Sequence, residues 1–80
     1  MSEIKEKALA ALSPVQERTL AGFDELPNAA HVDVRVVAAL KGISVPSVWR
    51  WSREGKLPQP VRMTAGTTRW NVGALRKVAA

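Results

Sequence analysis

Asp33-Val34-Arg35-Val36-Val37-Ala38-Ala39-Leu40-Lys41-Gly42-Ile43-Ser44-Val45-Pro46-Ser47-Val48-Trp49-Arg50-Trp51-Ser52-Arg53-Glu54-Gly55 carries its own punctuation. Asp33 suits the N-cap of a short helix over Val34 to Leu40, with Val36, Val37 and Leu40 facing a core. Gly42 supplies the positive φ that ends a helix without a Cβ penalty, and Ile43 follows as a buried plug. Ser44 caps a second helix whose first turn holds Pro46, where a missing N–H costs little. That helix runs to Arg53 or Glu54, Gly55 closes it, and Pro58 forbids a restart. Two short helices joined by Gly-Ile-Ser form the helix-turn-helix pattern.

At about 100° per residue, Val48 and Trp51 fall on one side of the second helix, with Ser44 and Gly55 at its two ends. Pro46, Trp49, Arg50 and Arg53 fall on or near the opposite side. Burying Val48 and Trp51 therefore turns Arg50 and Arg53 outward, the arrangement a helix needs to read a major groove. Guanidinium groups there reach guanine O6 and N7 or neighbouring phosphates. Ser47, close to the helix N-terminus, can bond a phosphate beside free backbone N–H groups. The alternative for both arginines is plain solvation. Trp51 and Trp70 read as core residues, because so short a chain needs large apolar side chains. Trp49 stands at the edge of the outer face, to pack either on the sugar-phosphate backbone or under the following hairpin.

Downstream, Pro60-Val61-Arg62-Met63-Thr64 alternates in polarity, Ala65-Gly66-Thr67 is a turn, and Thr68-Arg69-Trp70 is a second strand. With Val61, Met63 and Trp70 inward, Arg62, Thr64 and Arg69 point out, and the hairpin acquires a cationic face. Thr67 and Thr68 add hydroxyls at its tip, suited to phosphates or a narrow minor groove; a merely solvated hairpin is the alternative. Lys41 and Lys56, at the ends of the two helices, suit non-specific phosphate contacts. A last helix starts at Asn71 or Gly73, with Leu75 and Val78 inward and Arg76 and Lys77 outward. Upstream, Ile4, Ala8, Leu9 and Leu12 mark a helix over 2–12 that Ser2 can cap. Ser13-Pro14-Val15-Gln16 restarts a second helix with a capping box and a proline at its first position. It shows Val15, Thr19 or Leu20, and Phe23 on one side and ends near Asp24, before Leu26-Pro27-Asn28. Asp24 to Ala30 is a linker.

Eighty residues of which 46% are apolar make one small domain, modest in stability alone. The net charge of +5 is unevenly placed. Residues 1–30 hold three basic and five acidic side chains, whereas residues 31–80 hold nine basic and two acidic. The C-terminal part thus suits a polyanionic partner, or else simply carries a solubilising surface. No cysteine is present, there is no apolar run long enough for a membrane, and the start lacks a secretory h-region. A cytoplasmic, nucleoid-associated protein is expected. Catalysis fails on inventory. His31 has no cysteine or second histidine to build a metal set with, no Gly-rich phosphate loop exists, and no nucleophile–base pair can be argued. Glu3, Glu6, Glu17 and Glu25 read as solvated helical charges paired with nearby Lys or Arg. No enzyme activity, metal or cofactor is expected.

From about Val32 to Val78 the chain resembles the AlpA-type and excisionase-type winged-helix proteins of phages and integrative elements, which share a fold with the DNA-binding part of MerR regulators. The resemblance rests on Val36 to Ser44, Pro46 to Trp51, Glu54-Gly55-Lys56-Leu57-Pro58-Gln59-Pro60-Val61 and Thr68-Arg69-Trp70. Members often have tyrosine at Trp49 and phenylalanine at Leu57, changes that keep the physical type. The wing is Thr-rich where relatives often have a Gly-Arg tip, and Val78 stands where many carry tryptophan. The resemblance implies a winged helix-turn-helix over 31–80; the N-terminal helical arm and linker (1–30), read from the residues alone, lie outside it, and the whole is expected to be mainly α with a small β-hairpin. It also implies that the second helix enters the major groove and the wing the minor groove. The DNA-facing positions are then Pro46, Ser47, Trp49, Arg50 and Arg53, with the wing from Gly66 to Arg69. The implied role is transcription control, excisionase action with an integrase as partner, or both. One copy covers a short site weakly, so self-association on double-stranded DNA is expected. The alternative is a protein-interaction module whose acidic arm binds a partner or a second copy.

Overall fold

Side-chain caps set most helix starts in the computed structural model, which describes residues 3–78. Helix α1 (Glu3–Ala10) is followed by α2 (Pro14–Ala21) and a single 3-10 turn, Phe23–Glu25. Strand β1 (His31–Val32), α3 (Val34–Lys41) and α4 (Val45–Glu54) come next, then β2 (Val61–Thr64), β3 (Thr67–Asn71) and α5 (Val72–Lys77). The result is a helix-rich α/β fold with a small hairpin. The proposed Ser2 cap lies outside the described residues.

Ser13 and Gln16 form the expected reciprocal capping box of α2, with Pro14 in its first turn. Asp33 Oδ1 accepts from the Val36 N–H at 3.0 Å to start α3, and Gly42 ends it at φ +70°. Ser44 Oγ accepts from the Ser47 N–H, and Gly55 closes α4 at φ +83°. Three residues, Gly42 to Ser44, therefore separate the two helices.

The sheet has the order β1-β3-β2, all antiparallel. β1 is absent from the sequence expectation because two residues carry no readable period. It pairs His31 with Asn71 and Val32 with Trp70. The adjoining chain is stitched down as well: Val72 N–H donates to Ala30 O at 2.8 Å and Gly73 N–H to Asn28 O at 3.1 Å. A Cβ on Gly73 would stand 2.9 Å from Asn28 Cβ, so this crossing requires glycine.

The core gathers Val36 and Val37 of α3, Val48 of α4, Trp70 and Val72, with Phe23, Val32, Leu57 and Leu75 around them. α1 and α2 both pack on α3, which is why Ala38 and Ala39 are buried along with Val36 and Val37. Leu40, expected inside, is half-buried, as are Trp51 and Val78. Val15 of α2, expected on the packed side, is exposed, whereas Leu12, Leu20 and Phe23 supply the contacts. Gln16 Nε2 donates to Asp33 Oδ2 at 2.7 Å, tying the start of α2 to the start of α3.

Candidate functional site

Helix α4 is held by a narrow buried stripe. Val48 has no exposed surface, and one turn on Ser52 is only 2% exposed. The Ser52 hydroxyl donates to Val48 O at 2.9 Å and accepts from Trp70 Nε1–H at 3.1 Å, so the helix and β3 share a buried polar link. Gln59 Nε2 donates to Ser52 O, which fixes the segment leaving the helix. Sequence reasoning missed Ser52. A serine four residues from a buried valine, with a tryptophan N–H in need of an acceptor, was the available signal.

With that stripe inside, Pro46, Trp49, Arg50 and Arg53 are exposed together on the outer face of α4. Neither arginine has an ion-pair or hydrogen-bond partner among the described residues. Trp49, 38% exposed, sets its ring edge-on against Trp70 at 5.1 Å between centroids. Of its two expected placements this is the one beside the hairpin, and it fixes the ring while leaving part of it in solvent. Ser47 is half-buried and its Oγ accepts from Ser44 Oγ–H at 2.9 Å, so the hydroxyl belongs to the cap as much as to the surface.

The hairpin departs from expectation. Val61 and Met63 are exposed, at 43% and 47%, rather than inward. Register explains it. Val61 pairs with Arg69 and Arg62 with Thr68. Directly opposed residues share a face and neighbours alternate, so Arg62 and Thr68 lie on the Trp70 face, with Val61, Thr67 and Arg69 on the other. An irregularity between Arg62 and Thr64 displaces Met63 from the alternation. β2 is an edge strand exposed along its whole length, with no core beneath it. Arg69 keeps the expected side, away from Trp70, but is half-buried and donates from Nη1 to Thr68 O at 3.1 Å, whereas Arg62, also expected outward, lies on the Trp70 face. The hairpin cations therefore divide between two sheet faces, and Arg62 is the one on the face turned to α4.

Lys41 and Lys56 stand elsewhere. Both line a cleft with Trp51, which lies roughly 160° around α4 from Trp49. Lys56 Nζ is 3.4 Å from a Glu54 carboxylate oxygen and 5.8 Å from the Trp51 ring centroid. Glu17 and Glu25, expected to pair with basic neighbours, are exposed and have no ion pair among the described residues. Arg76 turns back on the chain, its guanidinium donating to Asn28 Oδ1 and to the Phe23 and Asp24 carbonyls. Among the described residues no His, Asp or Glu cluster could hold a metal ion, and no helix is long and apolar enough to cross a membrane. Comparison with models of protein families, with curated proteins and with solved structures gives no significant match.

Proposed function

We propose that this chain is a sequence-specific DNA-binding protein of winged helix-turn-helix type, acting as a transcriptional regulator, an excisionase of a phage or integrative element, or both. The observation that carries the reading is the outer face of α4, where Arg50 and Arg53 stand exposed and unpaired beside Pro46 and Trp49. Two charged forks on a rigid helix, held from behind by Val48 and Ser52, suit guanine edges in a major groove. The short α3–α4 connection and the hairpin after α4 agree with it, as does the excess of basic side chains beyond residue 30. In this reading Arg62 and Thr68, on the α4-facing side of the hairpin, are better placed for backbone contact than Arg69.

Duplex selection from random sequence, followed by titration of the selected site, tests it. Arg50→Ala and Arg53→Ala are each expected to lose about tenfold in affinity for the selected site while keeping non-specific binding. If both variants keep the parent's site preference, α4 is not the reading element. A second reading, a protein-interaction module using the arm, draws support from Ile4, Leu9 and Val15, which leave apolar surface exposed on α1 and α2.

A further inference from the structure

A cleft of about 480 Å³ opens between the 3-10 turn, the C-terminal ends of α3 and α4, and α5. That is the size of a site for a small organic molecule. Its walls are apolar and aromatic: Phe23, Leu57 and Leu75 are buried, while Leu40 and Trp51 keep part of their surface open to it.

Its rim is cationic. Lys41 has no partner among the described residues. Lys56 pairs with Glu54 and stands 5.8 Å from the Trp51 ring centroid; the lysine and glutamate side chains are largely solvent-exposed, at 64% and 45%, so that pair is weak and exchangeable. Arg76 donates to Asn28 Oδ1 at 2.7 Å, Phe23 O at 2.8 Å and Asp24 O at 3.2 Å, all of them neutral acceptors, so its charge is not neutralised by them. Asp24 is the one carboxylate in the lining, against Lys41, Lys56 and Arg76. Lysines near helix C-termini also complement the helix dipoles. That accounts for the sign of the rim but not for the apolar and aromatic lining that the two lysines share.

From this combination we infer that the cleft binds a small organic anion, a carboxylate or phosphate ester on a flat aromatic or short acyl body, with Lys41 and Lys56 on the anion and Trp51 along the body. Lysine suits this task, because a point charge on a flexible stem can follow the anion of a bound body. The inference stands whether or not α4 reads DNA. The same anion chemistry could come from a DNA phosphate, so the test separates the two sources.

The full chain, labelled with nitrogen-15, is titrated with naphthalene-2-carboxylate and followed by amide and indole shifts. Expected are saturable shifts at the Trp51 indole N–H and at the Lys41, Leu57 and Arg76 amides. The neutral analogue naphthalene-2-methanol and inorganic phosphate alone should each bind at least about tenfold more weakly. Replacing both rim lysines (Lys41→Gln with Lys56→Gln) should weaken the carboxylate by about tenfold while the variant keeps a dispersed, folded spectrum, since Lys56 is exposed and Lys41, though half-buried, has no partner among the described residues. Equal binding of the neutral analogue, or unchanged binding by the double variant, overturns the proposal. So does a double variant that loses duplex affinity while its carboxylate affinity holds, because the lysines then serve DNA phosphates.

Discussion

Ser52 and Trp70 show how much one buried hydroxyl can decide. The Trp70 ring is fully buried, and its Nε1–H finds its acceptor on the neighbouring helix. Removing that acceptor leaves an indole N–H with no water to turn to. Ser52→Ala is therefore expected to destabilise the fold by about 1–3 kcal/mol, read as a lower urea midpoint with unchanged slope. Trp49 stacks its edge on the same indole, so its fluorescence should shift in that variant. Arg50→Ala and Arg53→Ala form the opposite case. Both side chains are exposed and unpaired, so their loss should change stability by less than about 0.5 kcal/mol. A larger drop in the urea midpoint would mean that these arginines support the fold, and any loss of binding could then be indirect.

At the level of elements, helix starts are where sequence and structure agree best. Asp33, Ser44 and Ser13 each cap a backbone N–H three residues on, a relation contained in one turn of chain. Asp33 does more, since its second oxygen holds Gln16 of α2. Asp33→Ala is expected to cost about 1–2 kcal/mol, and more than Ser44→Ala. A double-mutant cycle with Gln16→Ala should reveal coupling of at least about 0.5 kcal/mol; strict additivity would show that the bridge contributes nothing. Strands were less legible. β1 exists because β3 offers it an edge, and the face of Val61 depends on its pairing with Arg69. Neither fact is local, so alternation alone put Val61 and Met63 on the wrong side. The outer face of α4 was readable because helical period fixes it once Val48 is inside. The half-burial of Trp51 was not, because it follows from the cleft that α5 and the 3-10 turn leave beside it.

In the whole molecule the acidic N-terminal segment (residues 1–30) and the basic remainder share one core. Phe23 packs with Val36, Trp70 and Leu75, and Leu12 is buried, so removing residues 2–24 would strip apolar cover from α3. Such a deletion is expected to unfold the chain, which makes Ile4→Ser with Val15→Ser the sounder test of the arm, both side chains being exposed. If the arm binds a partner or a second copy, that double variant loses the association and keeps the parent's melting temperature; an unchanged association excludes this face. With a net charge of +5, duplex affinity should fall steeply between 50 and 200 mM salt, by roughly 10³-fold if about six phosphates are neutralised. A flat salt response in a mobility-shift titration would exclude groove binding through the arginines.

The crossing of the chain at Asn28 has a kinetic corollary. Asn71 Nδ2 reaches a carbonyl 43 residues upstream, and the Val72 and Gly73 amides are clasped by Ala30 and Asn28 of the same segment. A clasp between such distant stretches must close a long loop, so it is expected to form more slowly than the local helix contacts. By the same logic these two amides cannot fray with a single turn, and their exchange with deuterium should track global opening. If they do, this seam opens only when the whole protein does.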